Sequence, residues 1–358
     1  ILAYNQIVTI QIIILIILAF ILRILFIFDG AVSFHYDMAR DAFIALQIWN
    51  GDLKILGPPT STPGLYHGVL YYYLIAPFYS LSQGDPRAVA IFLSFINSLV
   101  IIPIVLLAKD LFKSNKWAYL AGFLFVVSFE GTQYAPWISN PTPAALTIAL
   151  FFLFLRLWQK GKNYALYFAV FSAALSIQFQ FFLIYLFLLI PIFGILFKIK
   201  IGTKAIGISF VVAILGLANF LIATIKFKAL ESAFLGFLNI GTAGQIDFRP
   251  QFDELFHNYV NKFTEIFTLN FFPTNVLLGG ILAIVVIYFI RKERLLLFYL
   301  FSNIPIFLFG GHTNTYANIG LVVAAILSLV FLLRNVWKIS RTLVFVIILV
   351  SFISNIYA

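Results

Sequence analysis

Long apolar runs separated by short polar breaks follow one another from Ile7 to Ile356, and few folds can accommodate that pattern. Such runs can cross a hydrocarbon core of roughly 30 Å as helices. Within lipid the backbone must satisfy its own N–H and C=O groups, which leaves helices or a closed barrel. The runs are continuous rather than alternating, so helices are predicted. Composition agrees: 63% of residues are hydrophobic, 10% are charged, and the mean hydropathy is +1.04. Soluble domains are about half apolar and a quarter charged. The expected fold is an all-α integral membrane protein. The chain has no cysteine, which excludes disulfides and thiolate metal sites.

The first span is expected at Ile7–Phe28, followed by Arg87–Ala108, Trp117–Ser128, Thr142–Leu155, Tyr164–Ile177, Phe181–Phe197 and Ala205–Ile225. Asn275–Ile290, Leu295–Gly310, Ala317–Leu333 and Thr342–Ile356 complete a set of about eleven. The Ile7–Phe28 run is long for the apolar core of a signal peptide and lacks a small-residue cleavage site, so it reads as a span. The sequence opens on Ile1 rather than Met, so the native start is expected upstream.

Charge orients these spans. Five short loops, around Lys109–Lys116, Arg156–Lys162, Lys198–Lys204, Arg291–Arg294 and Arg334–Arg341, hold fifteen basic residues against two acids, a balance of +13. The rest of the chain carries −3, which accounts for the net +10. Basic loops stay in the cytoplasm, so the excess signals membrane topology and not a nucleic-acid partner. Gly68–Leu81 is apolar but short, and a crossing there would invert every later basic loop. It is expected to lie in the interface, with Tyr71, Tyr72 and Tyr73 at headgroup level.

Two long extracytoplasmic loops follow, 29–86 and 226–273. The chain reads as one polytopic domain, 1–358. Residues 1–225 form a seven-span catalytic module, 226–273 the second outer loop and 274–358 the C-terminal spans.

The first outer loop concentrates the polar chemistry. From Asp37 to Trp49, Ala42, Ile44, Ala45 and Ile48 recur at helical spacing, which predicts a short amphipathic helix on the outer surface. Asp37 falls at its N-terminus, where the helix dipole favours an anion. Arg40, three residues on, can face it, and Asp41 follows. Taken alone, this pattern also fits a helix cap with an ordinary surface ion pair. The segment Gly57-Pro58-Pro59 through Tyr66-His67-Gly68 is rich in breakers and forms a rigid turn that carries Tyr66, His67 and Tyr71 to Tyr73 back towards the same face. A carboxylate, an imidazole and phenols at the lipid boundary suit a reaction on a lipid-borne polar substrate. His257, near Asp253 and Glu254, reads as a solvated position of the second loop.

The stretches Tyr36-Asp37-Met38-Ala39-Arg40-Asp41-Ala42, Gly57-Pro58, Tyr66-His67-Gly68 through Tyr73, Leu107-Ala108-Lys109-Asp110 and Asn140-Pro141 together resemble the GT-C glycosyltransferases. Within that superfamily they are most similar to the protein O-mannosyltransferase and aminoarabinose transferase branch. The resemblance covers roughly the first 160 residues in motif and the remainder in hydropathy. It implies outer catalytic loops after the first and seventh spans, and transfer of a sugar from a polyprenyl-phosphate donor to a protein, lipid or glycan acceptor outside the cytoplasm. It implies Asp37 as the catalytic carboxylate of an inverting displacement, with Asp41 beside it. Arg40, Tyr66, His67 and Arg249 become candidates for holding the donor. The His-Tyr pair that many relatives carry in a late outer loop is matched only loosely, by His312 and Tyr316. No cofactor and no metal are expected. The implied setting is the cytoplasmic membrane, crossed many times, with the site facing outward. Two other classes fit the hydropathy: a transporter or flippase, and a polymerase or ligase of lipid-linked glycans. A transporter would place ionisable groups at mid-membrane, whereas Arg23 and Glu130 fall near the outer span ends.

Overall fold

The computed structural model describes residues 2–25, 27–28, 32–60, 66–227, 252–305 and 320–358. Among these residues the regular elements are helices, with one isolated bridge between Pro59 and Tyr66. Helices lie on the expected apolar segments, although Leu295–Gly310 is described only to residue 305. Pro86–Phe112 is long and apolar enough by itself to cross a bilayer, with 27 residues. Two bent pairs have the length and hydropathy of a broken span or a re-entrant loop: Thr203–Gly216 with Ala218–Lys226, bent by 62°, and Phe256–Phe271 with Val276–Ile290, bent by 104°. Length and composition thus mark one to three clear spans among the described residues, against the expected eleven. Other apolar helices, such as Ala144–Gln159 and Tyr164–Phe179, are 16 residues each, or about 24 Å at 1.5 Å per residue.

Local sequence sets the helix ends. The Ser340 hydroxyl accepts from Leu343 N–H at 3.2 Å, and the Asn275 side chain accepts from Leu278 N–H at 3.0 Å, so both cap helix starts. Pro86 opens its helix behind Asp85, whose carboxylate accepts from Arg87 N–H at 2.9 Å. Lys113 and Lys198 take left-handed backbones at helix C-termini, at φ 52° and 53°. Their charges complement the dipole there.

The chain divides into two compact units. One comprises residues 1–31, 93–137 and 252–358. Its core is Leu321–Trp337, which is buried on nearly every face from Leu321 to Leu333. A helix that is apolar all round belongs at the centre of a bundle. The other unit comprises residues 32–92 and 138–251. Here Ala144–Gln159 and Tyr164–Phe179 pack on each other, and Ala145, Ala149, Ala165, Ala169 and Ala173 on them are buried. A hydrogen bond between the Thr147 and Ser176 hydroxyls, at 2.7 Å, ties the pair.

Large apolar side chains also cover outward faces. Ile10, Ile13, Ile14, Ile17 and Ile21 are exposed along the first helix, and Phe345, Leu349, Ile353 and Ile356 along the last. Faces of this kind need an apolar surrounding.

Candidate active site

The second unit carries the site. Tyr36–Trp49 forms the expected amphipathic helix, with His35 rather than Asp37 at the capping position. Asp37 lies in the first turn, so its carboxylate is not the cap. The buried stripe is Met38, Asp41, Ala45 and Ile48. Asp41 therefore occupies a position that apolar periodicity alone assigns to a hydrophobic residue. This face packs on the helix Leu70–Leu81. At 12 residues that helix spans about 18 Å, short of a hydrocarbon core. Tyr71 and Tyr72 are buried within the unit. Tyr73 donates its hydroxyl to the Lys54 carbonyl at 2.9 Å.

Arg40 joins the two acids. Its Nη1 donates to Asp37 Oδ1 at 2.7 Å. Nε and Nη2 both donate to Asp41 Oδ1, at 2.8 and 2.7 Å. The Tyr72 hydroxyl donates to the same oxygen at 3.2 Å. The exposures differ sharply: the Asp37 side chain is 62% exposed, Arg40 24% and Asp41 5%. Burial pushes the Asp41 carboxyl above its ordinary range, against the opposing pull of Arg40. Burial works against the Arg40 charge, but the bond and charge of Asp41, with Tyr72 and Asp37, hold its pKa above the ordinary value. The result is a guanidinium fixed on its inner edge by a buried carboxylate and facing an open carboxylate on its outer edge.

The Gly57–Gly68 segment packs beside this pair. His67 N–H donates to the Pro58 carbonyl at 2.8 Å, which with the Pro59–Tyr66 bridge closes the two ends of the turn. Residues 61–65 at its tip lie outside the described ones. A Cβ on Gly57 would stand 2.2 Å from the Gly68 carbonyl oxygen. One on Gly68 would stand 2.6 Å from the Gln178 Cα. Both positions need a hydrogen in place of a side chain. The approach seats His67 against the Gln178–Phe181 turn, where its Nδ1 accepts from Phe181 N–H at 3.1 Å. That bond leaves the ring proton on Nε2. Burial, aided by the Arg40 charge, lowers the His67 pKa to about 4. His67 is thus a neutral donor at physiological pH. Nearby, the buried Tyr71 and Tyr79 hydroxyls have no hydrogen-bond partner among the described residues. Burial raises both phenols, with the Asp41 charge adding to it.

The structure therefore brings Asp37, Arg40, Asp41 and His67 into one unit, with Tyr66 at the bridge. Arg249, His312 and Tyr316 lie outside the described residues. His257 is exposed on Phe252–Phe271, as expected. Among the described residues, no three of His, Asp and Glu gather as metal ligands would. Sequence reasoning gathers Tyr71, Tyr72 and Tyr73 near the site but does not single out Tyr72 as the one that donates to Asp41.

No family model and no curated protein matches the chain in sequence. In three dimensions it is similar to the crystal structure of ArnT from Cupriavidus metallidurans in the apo state, at a TM-score of 0.60 and 14% identity. The match covers 94% of this chain and 62% of that one. The chain has the ArnT fold. The resemblance to GT-C glycosyltransferases, carried by motifs between Tyr36 and Pro141, is borne out at the level of architecture. The ArnT-like chain spans less than two thirds of the length of the structure it matches.

Proposed function

We propose that this protein is a membrane glycosyltransferase that moves a sugar from a polyprenyl-phosphate donor to an acceptor on the outer face of the membrane. The observation that carries the reading is the open Asp37 carboxylate held beside a guanidinium whose other edge is locked on buried Asp41. A base must reach the substrate proton, and of the two acids only Asp37 is open. In the proposed step the acceptor oxygen attacks the anomeric carbon as Asp37 takes its proton. The bond from anomeric carbon to phosphate oxygen breaks, and the electron pair leaves with the phosphate. Arg40 and the Nε2–H of His67 are placed to stabilise that charge. The ArnT-like fold supports this class of reaction.

Contacts within the first unit support the proposed order of inner and outer span ends there. Within the first unit, Arg23 near the end of the first span donates to the Phe125 carbonyl at 3.1 Å, at the end of the third. Lys116 stacks on Trp337, which joins two loops assigned to the cytoplasm. Ends expected outside meet each other, and so do ends expected inside.

Replacing Asp37 with Asn tests the reading. Asn retains the size and the first-turn position but cannot take a proton. Transfer from a polyprenyl-phosphate sugar should fall by about 100- to 10,000-fold with the melting temperature unchanged. Near-normal turnover by this variant in a direct transfer assay removes Asp37 from the chemistry.

A further inference from the structure

We propose that the turn between Leu321–Trp337 and Arg341–Tyr357, with the start of Asn115–Val126, binds the headgroup of an anionic phospholipid. The proposal rests on the membrane setting above but not on the transfer chemistry. All these residues lie in the first unit.

Trp337 is the centre of the patch. Lys116 Nζ stands 3.2 Å from its ring centroid, and the Arg341 guanidinium carbon stands 5.5 Å from the same ring. Trp117 meets it edge-on at 6.0 Å. Two cations on one indole repel each other. Each also sits in the first turn of its helix, where the dipole disfavours positive charge. Among the described residues, Lys116, Lys338 and Arg341 form no ion pair, whereas Lys113 close by is neutralised by Asp110 at 2.8 Å. The fold thus gathers three unneutralised cations from two loops more than 200 residues apart in sequence. An anion seated among them relieves the repulsion and complements both helix dipoles.

The apolar part of the patch identifies the source of that anion. Ile339, between Lys338 and Arg341, is 84% exposed. Free phosphate has no use for an isoleucine at the tip of a basic turn. A phospholipid has: the phosphodiester meets the cations while the isoleucine enters the boundary between headgroup and acyl chain.

The test uses the purified full chain offered equal amounts of phosphatidylglycerol and phosphatidylcholine vesicles, with retained lipid read by native mass spectrometry. The native chain should keep phosphatidylglycerol in preference. Lys338→Gln, at an exposed turn where folding is not at stake, should reduce that preference about fivefold, and Lys116→Gln with Arg341→Gln about fivefold for each charge removed. Lys198→Gln with Lys200→Gln removes equal charge from another basic loop and should leave the preference intact. Equal retention of the two lipids by the native chain overturns the proposal. So does a loss in the Lys198/Lys200 control as large as in the patch variants, because the effect is then one of general positive charge.

Discussion

Each unit buries a carboxylate, and each neutralises it differently. In the second unit Asp41 is paired with Arg40 and also accepts from Tyr72. In the first unit Glu130, similarly buried, has no cation partner among the described residues: it accepts from Asn270, whose side-chain oxygen receives the Ser128 hydroxyl. Asn355 closes the knot by donating to the Asn270 carbonyl at 3.1 Å and accepting from Phe129 N–H at 2.8 Å. Arg23, a buried cation of that unit, is spent on Asn97 at 2.8 Å and on the carbonyls that end Asn115–Val126. A charge pair that leaves one carboxylate open suits chemistry. A neutral amide network that closes on itself suits the joining of three helices.

The contrast can be broken most sharply at Asp41. Replacing it with Ala strands the inner edge of Arg40 in a buried setting. Loss of one partner of a buried pair costs about 3–5 kcal/mol, with the lower end expected because Arg40 reaches solvent. Chemical denaturation of the detergent-solubilised protein reads the loss. An Asp41→Ala variant as stable as the native chain would mean that the pair contributes no net stability.

The two units should also answer pH in opposite directions. Burial first, then the charge of Glu265, lifts the Glu130 carboxyl to about 7, against the bond from Asn270. A raised folded pKa gives stability that is present at low pH and lost as pH climbs through 7. Glu130→Gln keeps the acceptor without the charge, and should stabilise the protein by roughly 3 kcal/mol above pH 7. His67 has its pKa lowered to about 4, so its contribution is complete above 6.5 and is lost as pH falls from 6.5 towards 4. Melting curves across pH 4 to 8 should lose the upper limb in Glu130→Gln and the lower limb in His67→Gln. If both limbs survive, other groups carry the pH dependence.

The smallest effect sharpens the comparison instead of breaking it. Tyr72→Phe removes one long bond to a carboxylate that Arg40 already holds, so about 1 kcal/mol is expected. Transfer activity should stay within a few-fold of native. A much larger loss of activity at unchanged stability would make Tyr72 part of the chemistry.

These two regions also differ in how far the sequence discloses them. The Asp37–Arg40 contact is a three-residue step on a helix, and its spacing predicts it. The Gly57 and Gly68 punctuation marks a tight turn, though not that Gly68 lies against Gln178, which needs the fold. Asp41 departs from the apolar pattern because Arg40 beside it neutralises its charge and Tyr72 on a second helix donates to it, and periodicity has no term for either. The knot was beyond reach: Glu130 and Asn270 are 140 residues apart, and nothing local marks an asparagine as the partner of a buried acid. Helix positions follow from hydropathy, whereas the count of complete crossings does not, since many helices are short and two pairs are bent.

The Arg40 guanidinium between two carboxylates has one further consequence. The three side chains together carry a net charge of −1, so the site exerts no long-range pull on an anionic donor. What it offers is directional: the N–H bonds that the two acids leave open, felt only at contact. The proposed donor must then arrive by diffusion in the plane of the bilayer, concentrated there by its own hydrocarbon tail. Its binding should respond weakly to ionic strength and strongly to the length of that tail.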